Sequence, residues 1–183
     1  KYTGKAAEIA ARLLAEAGQR DSATFAGIET ISELKDILPL LAECGLPVSD
    51  ISPSQPPQFF GIRSESVLVA VVGLELFGAV GLLRSLAVSP SHRGRGLARR
   101  LVAFAERAAA SQGGKALFLL TTSASVFFEK LGFVSTPRHA APPAIQATPQ
   151  FSGLCPASSA FLSKAIDQTT VNTVCRNLDV NPR

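Results

Sequence analysis

Arg93, Gly94, Arg95, Gly96 and Ala98 follow directly on the apolar run Leu82-Leu83-Arg84-Ser85-Leu86-Ala87-Val88 and precede a stretch with helical periodicity. Two glycines leave the backbone without Cβ atoms, so a ligand can approach it closely. A helix beginning near Gly96 would present unpaired N–H groups and the positive end of its dipole at the same place. With two guanidinium groups beside it, the loop is suited to an anion, above all a phosphate or diphosphate.

A nucleoside-triphosphate loop needs four residues between its glycines and a Gly-Lys-Ser/Thr ending, which are absent. A dinucleotide fingerprint needs a third glycine where Arg99 stands, and an acidic ribose partner about twenty residues on, where Ala116 and Leu117 stand. Other chemically able side chains are few. Glu75 interrupts one apolar run and Arg84 the next; His92 flanks the loop, His139 lies among prolines, and Cys155 precedes Pro156. No elbow motif supports Ser/His/Asp nucleophilic catalysis. The three cysteines, Cys44, Cys155 and Cys175, have no Cys-x-x-Cys spacing, and two histidines add little, so no structural zinc or other metal site is expected.

The elements that must position these groups can be read from periodicity. Residues 1–22 form an appendage with an apolar helical stripe (Ala6, Ile9, Ala10, Leu13, Leu14, Ala17), and self-association through it is left open. Residues 23–166 form the domain. Thr24–Ile28 reads as a first strand, and Thr30 with Glu33 as a capping box before a helix carrying Ile31, Leu34, Ile37, Leu38 and Leu41. Pro39 predicts a kink or restart there, and Gly45 a stop. The proline-rich stretch Pro47–Gln58 reads as a loop over the site mouth or a short broken helix. Phe59–Arg63, Ser66–Leu76 and Ala79–Val88 make an antiparallel meander, apolar enough to be covered on both faces. After the loop, Leu97, Leu101, Phe104, Ala105 and Ala108 form the inward stripe of a helix that ends at Gly113-Gly114. Ala116–Thr122 reads as a buried parallel strand reached by a right-handed crossover. Ser123 caps a short helix that Gly132 terminates, with Phe133 closing over it. Ala160–Lys164 is the last strand, and residues 167–183 are a polar tail. The fold class is therefore mixed α/β, an antiparallel meander joined to a parallel strand–helix–strand unit.

A chain of 183 residues, 46% hydrophobic, can bury a core without disulfides or metal. Its net charge of +4 is mild and gathers around the loop and following helix, which suits an anionic small molecule. Nucleic acid is not expected, because interleaved surface aromatics and a recognition motif are missing. A membrane span is not expected either: the apolar run Val67–Leu83 carries Glu75, Gly73, Gly78 and Gly81. No leader segment is read, and free thiols fit a reducing cytoplasm.

The pattern Arg93-x-x-Gly96-x-Ala98 after a strand ending Leu-Ala-Val resembles the acetyl-coenzyme A loop of the GCN5-related N-acetyltransferases, Gln/Arg-x-x-Gly-x-Gly/Ala. Downstream, Phe128-Glu129-Lys130-Leu131-Gly132-Phe133 resembles the same family's Tyr-Glu-Lys-x-Gly-Phe segment, in the right order and at a suitable distance. From about residue 28 to 166 the chain further resembles the N-acetyltransferase branch encoded in bacterial arsenic-resistance operons. The stretches Leu40–Pro47, Val72–Glu75, Leu82–Val88 and Ala144–Ser158 carry that likeness.

The resemblance implies the acyl-coenzyme A N-acyltransferase fold and transfer of an acetyl group from acetyl-coenzyme A to a small amine, such as one met in detoxifying arsenic or amino-acid analogues. It implies that Arg93, Gly94, Arg95, Gly96, Leu97 and Ala98 hold the diphosphate through backbone N–H groups. Leu86, Ala87 and Val88 would pair with the pantetheine arm as an added strand. A splay between this strand and Ala116–Thr122 would admit the thioester, and the N–H of Val88 or its neighbour would hold the thioester oxygen. The family's tyrosine acid is replaced by Phe128, so the thiol leaves as thiolate or is protonated by water, Ser123, Ser125 or Cys155. Glu75 is the candidate base, with a structural ion pair to Arg84 or Arg63 as the other reading. Arg84 is either an anchor for a substrate carboxylate or that ion pair. Cys155 is a candidate substrate contact or a small buried hydrophobe. Two other functions stay open: an acyl-coenzyme A sensor without turnover, and a thiol-based arsenite binder.

Overall fold

A computed structural model of the chain describes residues 27–166. The appendage at 1–22, the tail at 167–183, Tyr2, Cys175 and the Thr24–Ala26 part of the expected first strand lie outside the described residues.

Runs of Val, Leu, Ile and Phe build one seven-stranded sheet in the order β1-β2-β3-β4-β5-β7-β6. β1 (Ile28–Thr30), β2 (Gln58–Ser64), β3 (Val67–Phe77) and β4 (Val80–Val88) are successively antiparallel. β5 (Ala116–Thr121) runs parallel to β4, and β7 (Ala160–Ala165) and the two-residue β6 (Val134–Ser135) complete the sheet antiparallel to their neighbours. Helix α1 (Leu34–Glu43) follows β1, α2 (Leu97–Ser111) crosses from β4 to β5, and α3 (Ser125–Glu129) and α4 (Pro143–Gln146) lie between β5 and β7. Both faces of the central strands are covered. On one, Leu101, Val102 and Ala105 of α2 pack with Val72, Leu83, Leu119 and Phe133. On the other, Ile37 and Leu41 of α1 pack on Phe59, Val71 and Ala87, and Ile145 of α4 packs on Leu82, Phe118 and Phe161.

Several local expectations give way to tertiary pairing. The first strand falls at Ile28–Thr30, because Thr30 pairs with Phe60 and the Ile31 N–H donates to the Phe59 carbonyl at 2.8 Å. That pairing draws Thr30 into the sheet, so its capping box does not form. Glu33 is the N-cap residue of α1, with no side-chain cap bond. The helix runs unbroken through Pro39, whose ring removes one internal bond while Ile37, Leu40 and Leu41 stay buried. It ends in a Schellman arrangement, Leu46 N–H to Leu41 carbonyl at 2.9 Å and Gly45 N–H to Ala42 carbonyl at 3.0 Å, which swings Cys44 and Leu46 toward the end of β4. Residues 47–57 form a loop without a helix. The stripe of α2 is rotated from the expected one: Leu101, Val102, Ala105, Ala109 and Ala110 are buried, with Leu97, Phe104 and Ala108 half-buried beside them. Ser123 does not cap α3. Ala124 is its N-cap residue, with no side-chain cap bond, and the Thr121 Oγ1 accepts from the Ala124 N–H at 2.9 Å in the turn that leads into the helix. The helix closes as expected, with Phe133 N–H to Phe128 carbonyl at 3.1 Å and the two rings 5.6 Å apart.

Two irregularities in β4 prepare the site. Across β3, Val71 pairs with Ala87 but Gly73 with Arg84, so Ser85 and Leu86 together face Val72. This bulge holds Ser85 at φ +53° and turns Leu86 and Val88 onto the α2 face. Across β5, the parallel ladder covers only Val80–Leu82 against Ala116–Phe118. β5 stays paired with β7 as far as Thr121, so beyond Leu82 the two parallel strands part.

Candidate active site

A cavity of about 830 Å³ occupies the splay. One wall is β4 from Leu83 to Val88, the other Leu119–Thr121 of β5 and Thr122 after it, with Phe127 and Phe128 of α3. The glycine loop closes one end. Cys44–Pro47, Gln150 and Leu154–Pro156 border the other side.

The exposed edge of β4 follows from antiparallel geometry. Ser89 donates its N–H to the Val69 carbonyl at 2.8 Å. Residues alternate in direction along a strand, so Ala87 faces β3 while Leu86 and Val88 turn their N–H and C=O groups into the splay. The Val88 carbonyl shows this directly: it accepts from Arg93 Nε at 3.1 Å and from Cys44 Sγ at 3.5 Å.

The loop itself combines a 3₁₀ turn at Pro90–His92 with Gly94 and Gly96, both at φ +75°, a conformation that a side chain would strain. Within the described residues the amides of Gly94, Arg95 and Gly96 donate no hydrogen bond. The first-turn amides of the 15-residue α2 follow at once, with the positive end of its dipole. A Cβ at either glycine would meet nothing within 4 Å, so a ligand can come close to the backbone here. Arginine side chains brace this loop rather than line it evenly. Arg93 folds back on Val88 and stands 3.8 Å from Cys44 Sγ, and Arg95 donates to the Ser91 carbonyl at 3.4 Å. Of the expected loop residues, Arg93, Gly94, Gly96, Leu97 and Ala98 border the cavity and Arg95 does not. His92 borders it too, its Nδ1 held between Ser89 and Ser91 hydroxyls at 3.1 and 2.9 Å.

At the far end lies Arg84, only 5% exposed. It sits opposite Gly73, where a Cβ would come within 3.1 Å of Arg84 Cγ. The strand register puts Glu75 and Arg84 on one face: Glu75 pairs with Leu82, diagonally beside Arg84. Arg84 Nη1 donates to Glu75 Oε1 at 2.8 Å, and Nη2 to Asp50 Oδ1 at 2.7 Å. Burial opposes the Arg84 charge, but these hydrogen bonds outweigh it and hold the guanidinium above its ordinary range. The ion-pair reading of Arg84 and Glu75 is thus the one the geometry contains, and Glu75 does not border the cavity whereas Arg84 does. Arg63 is engaged elsewhere, with Glu29 and Asp36. Cys155 borders the cavity, and burial pushes its thiol above the ordinary range, against the pull of Arg138 and Arg84. Phe128 occupies the cleft wall, packed edge-on against Phe127 and Phe133, with no hydroxyl to offer. Ser123 borders the cavity; His139 is exposed and does not.

Three residues at the site carried no sequence signal as site residues. Asp50 is a single carboxylate in a proline-rich loop that reaches Arg84, Cys44 ends a helix and reaches the Val88 carbonyl, and Gln150 lies in a turn that borders the cavity. Cys44 and Cys155, distant in sequence, border the same cavity.

The residue pattern of the acetyltransferase (GNAT) family matches residues 29–133, more than half the chain. The chain belongs to the acetyltransferase (GNAT) family. Two curated relatives are the amino-acid acetyltransferases of Pseudomonas fluorescens and Ectopseudomonas mendocina, each 32% identical, over 59% and 63% of this chain. The matches cover 26% and 28% of those proteins, so this GNAT chain spans about a quarter of their length. Among solved structures, N-acetylglutamate synthase from Neisseria gonorrhoeae with coenzyme A and L-arginine superposes with a TM-score of 0.63 at 21% identity, covering 77% of this chain and 34% of that one. That likeness is one of fold, the mixed sheet with its single parallel step. Among the described residues, no helix is long and apolar enough to cross a membrane.

Proposed function

We propose that this GNAT chain transfers the acetyl group of acetyl-coenzyme A to the amine of a small, amino-acid-like acceptor. One observation carries the reading: a single cavity runs from the free loop amides, along the open edge of β4, to a charged end at Arg84. Relatives named as amino-acid acetyltransferases, and a neighbour of the same fold solved with coenzyme A, support both halves of the proposal.

The residues fit the cosubstrate. Free amides at Gly94–Gly96 and the first turn of α2 receive the diphosphate, where opposite charge and unpaired donors coincide. Leu86 and Val88 offer the pantetheine amides a strand edge. The N–H of Val88 or of Leu86 holds the thioester oxygen as negative charge builds on it, and such a donor is worth about 10²–10³ in rate. At the other end, Asp50 and Glu75 outnumber Arg84 and favour an ammonium group. The amine loses its proton to solvent before attack; Glu75, outside the cavity lining, acts on it only through its pair with Arg84. The departing thiol, with a pKa near 8.5, leaves as thiolate and takes its proton from water. Cys155 contacts the acceptor as a neutral thiol. An arsenic-bearing amino-acid analogue belongs to the same acceptor class.

The test follows free thiol release from acetyl-coenzyme A across a panel of amino acids, amino-acid analogues including arsenic-bearing ones, and simple amines, with mass spectrometry of the products. Amine-dependent release with an acetylated product is expected. Coenzyme A binding without amine-dependent release would replace the proposal with a sensing module, the reading that phenylalanine at 128 favours.

A further inference from the structure

Gln150 is 6% exposed, borders the cavity, and its carboxamide forms no hydrogen bond within the described residues. The residue is buried, but its amide atoms keep contact with solvent at the cavity, so both donor and acceptor stay available to a bound molecule. The chain builds a rigid support for it. Pro149 sets the entry, the Thr148 hydroxyl donates to the Ile145 carbonyl at 2.7 Å, and the Cys155 N–H returns to the Gln150 carbonyl at 3.1 Å, closing a π turn over Gln150–Leu154. Single π turns are frequent at functional sites.

The charge around it is also arranged. Arg138 donates from Nη2 to the Phe151 carbonyl at 2.8 Å and lies 4.5 Å over the Phe151 ring. Its Nη1 is buried without a hydrogen-bond partner, and it has no carboxylate partner among the described residues. Its field reaches the cavity wall, since it acts on the Cys155 thiol. The opposite balance holds at Arg84, where two carboxylates meet one guanidinium. An acceptor end negative on one side and positive on the other matches a zwitterion.

We propose that Gln150 is the residue that recognises the α-carboxylate of an amino-acid acceptor, donating to it from Nε2 while the ammonium turns toward the Asp50–Arg84–Glu75 cluster. This deepens the acetyl-transfer reading and rests on it. Arg138 is a positioning residue: it pins the turn at Phe151 and biases the end toward an anion.

Proteinogenic L-amino acids are assayed for thiol release, each beside its C-terminal amide, which lacks the carboxylate charge. Binding of the same pairs to the protein saturated with coenzyme A is followed by calorimetry. The best amino acid is expected to outrun its amide by about 10- to 100-fold, the worth of a hydrogen bond to a charged group. Gln150→Ala should shrink that ratio to within about threefold by the same loss, and Gln150→Glu should invert it, with coenzyme A affinity unchanged in both. Equal treatment of acid and amide by the wild type, or discrimination that survives Gln150→Ala, overturns the proposal. If no amine releases thiol, acetyl transfer fails. Calorimetry still decides the role of Gln150: acid over amide by wild type but not by Gln150→Ala supports it, and any other pattern overturns it.

Discussion

Asp50 and Arg84 meet over 34 residues of sequence, Asp50 Oδ1 lying 2.7 Å from Nη2 and Oδ2 2.6 Å from Nη1, with side chains 4% and 2% exposed. The proline-rich loop is thereby tied to the middle of β4, beside the bulge at Ser85. Removing the guanidinium would strand Asp50 in the interior. Arg84→Met is expected to cost about 3–5 kcal/mol, as breaking one side of a buried pair does. Glu75→Gln keeps a hydrogen-bond acceptor next to Nη1 and should cost about 1 kcal/mol or less, closer to a surface pair. Urea denaturation of the two variants checks this; an Arg84→Met cost as small as that of Glu75→Gln would mean that the cluster contributes little to holding the loop.

What could be read without coordinates was chemistry carried by neighbours in sequence. Gly94 and Gly96 bracket an arginine just before a helix, and that juxtaposition alone makes an anion site. Alternating and continuous apolar runs likewise gave away β2–β4, since a strand covered on both faces has no other composition available. Thr30 and Ser123 show the limit. Each had a local signal for a cap, but Thr30 was claimed by its partner Phe60, and the turn that Thr121 makes with Ala124 carries Ser123 past the start of α3. Asp50, Cys44 and Gln150 were beyond reach, because their meaning lies in what loops from other parts of the chain bring beside them. Glu75 and Arg84 were visible as odd charges in apolar strands, and only the register showed that they face one another.

Gly96→Ala separates the loop's role in binding from its role in folding. A residue with a Cβ at φ +75° pays about 1–2 kcal/mol in local strain, and the new methyl stands where a ligand would come close to the backbone. Coenzyme A affinity should fall by about tenfold, the equivalent of about 1.4 kcal/mol, while the circular dichroism spectrum stays that of the wild type. Calorimetry at low salt makes the comparison. Unchanged affinity would place the diphosphate elsewhere.

Cys155 gives the protein a measurable pH signature. Its thiol pKa is raised in the folded chain, chiefly by burial, above the ordinary 9.0. The folded state therefore holds that proton more tightly than the unfolded state. Its contribution is complete below pH about 9 and is lost as the pH rises from there through the higher folded value. Melting temperatures of wild type and Cys155→Ala should accordingly run parallel from pH 7 to about 8.5 and converge above that. Parallel curves through pH 10 would show a thiol in an ordinary, wetted environment.

Phe128 stands in the cavity wall at the position where the resembling segment of the family carries tyrosine, with its ring 5.6 Å from that of Phe133 and 5.1 Å from that of Phe127. Adding one hydroxyl there changes little of the packing and supplies a proton donor facing the cleft. A general acid typically contributes about 10²–10⁴-fold when protonation limits the rate. Here the leaving group is a thiol with pKa near 8.5, able to depart unaided, so the gain in Phe128→Tyr should be smaller, about tenfold in kcat. The benefit should fade above pH about 10 as the phenol ionises, and the KM for the acceptor should not move. Rates of thiol release from pH 6 to 10.5 for both proteins make the test. A variant with unaltered kcat and pH profile would mean that thiolate departure is not what limits turnover, or that the cleft wall at 128 does not face the sulfur.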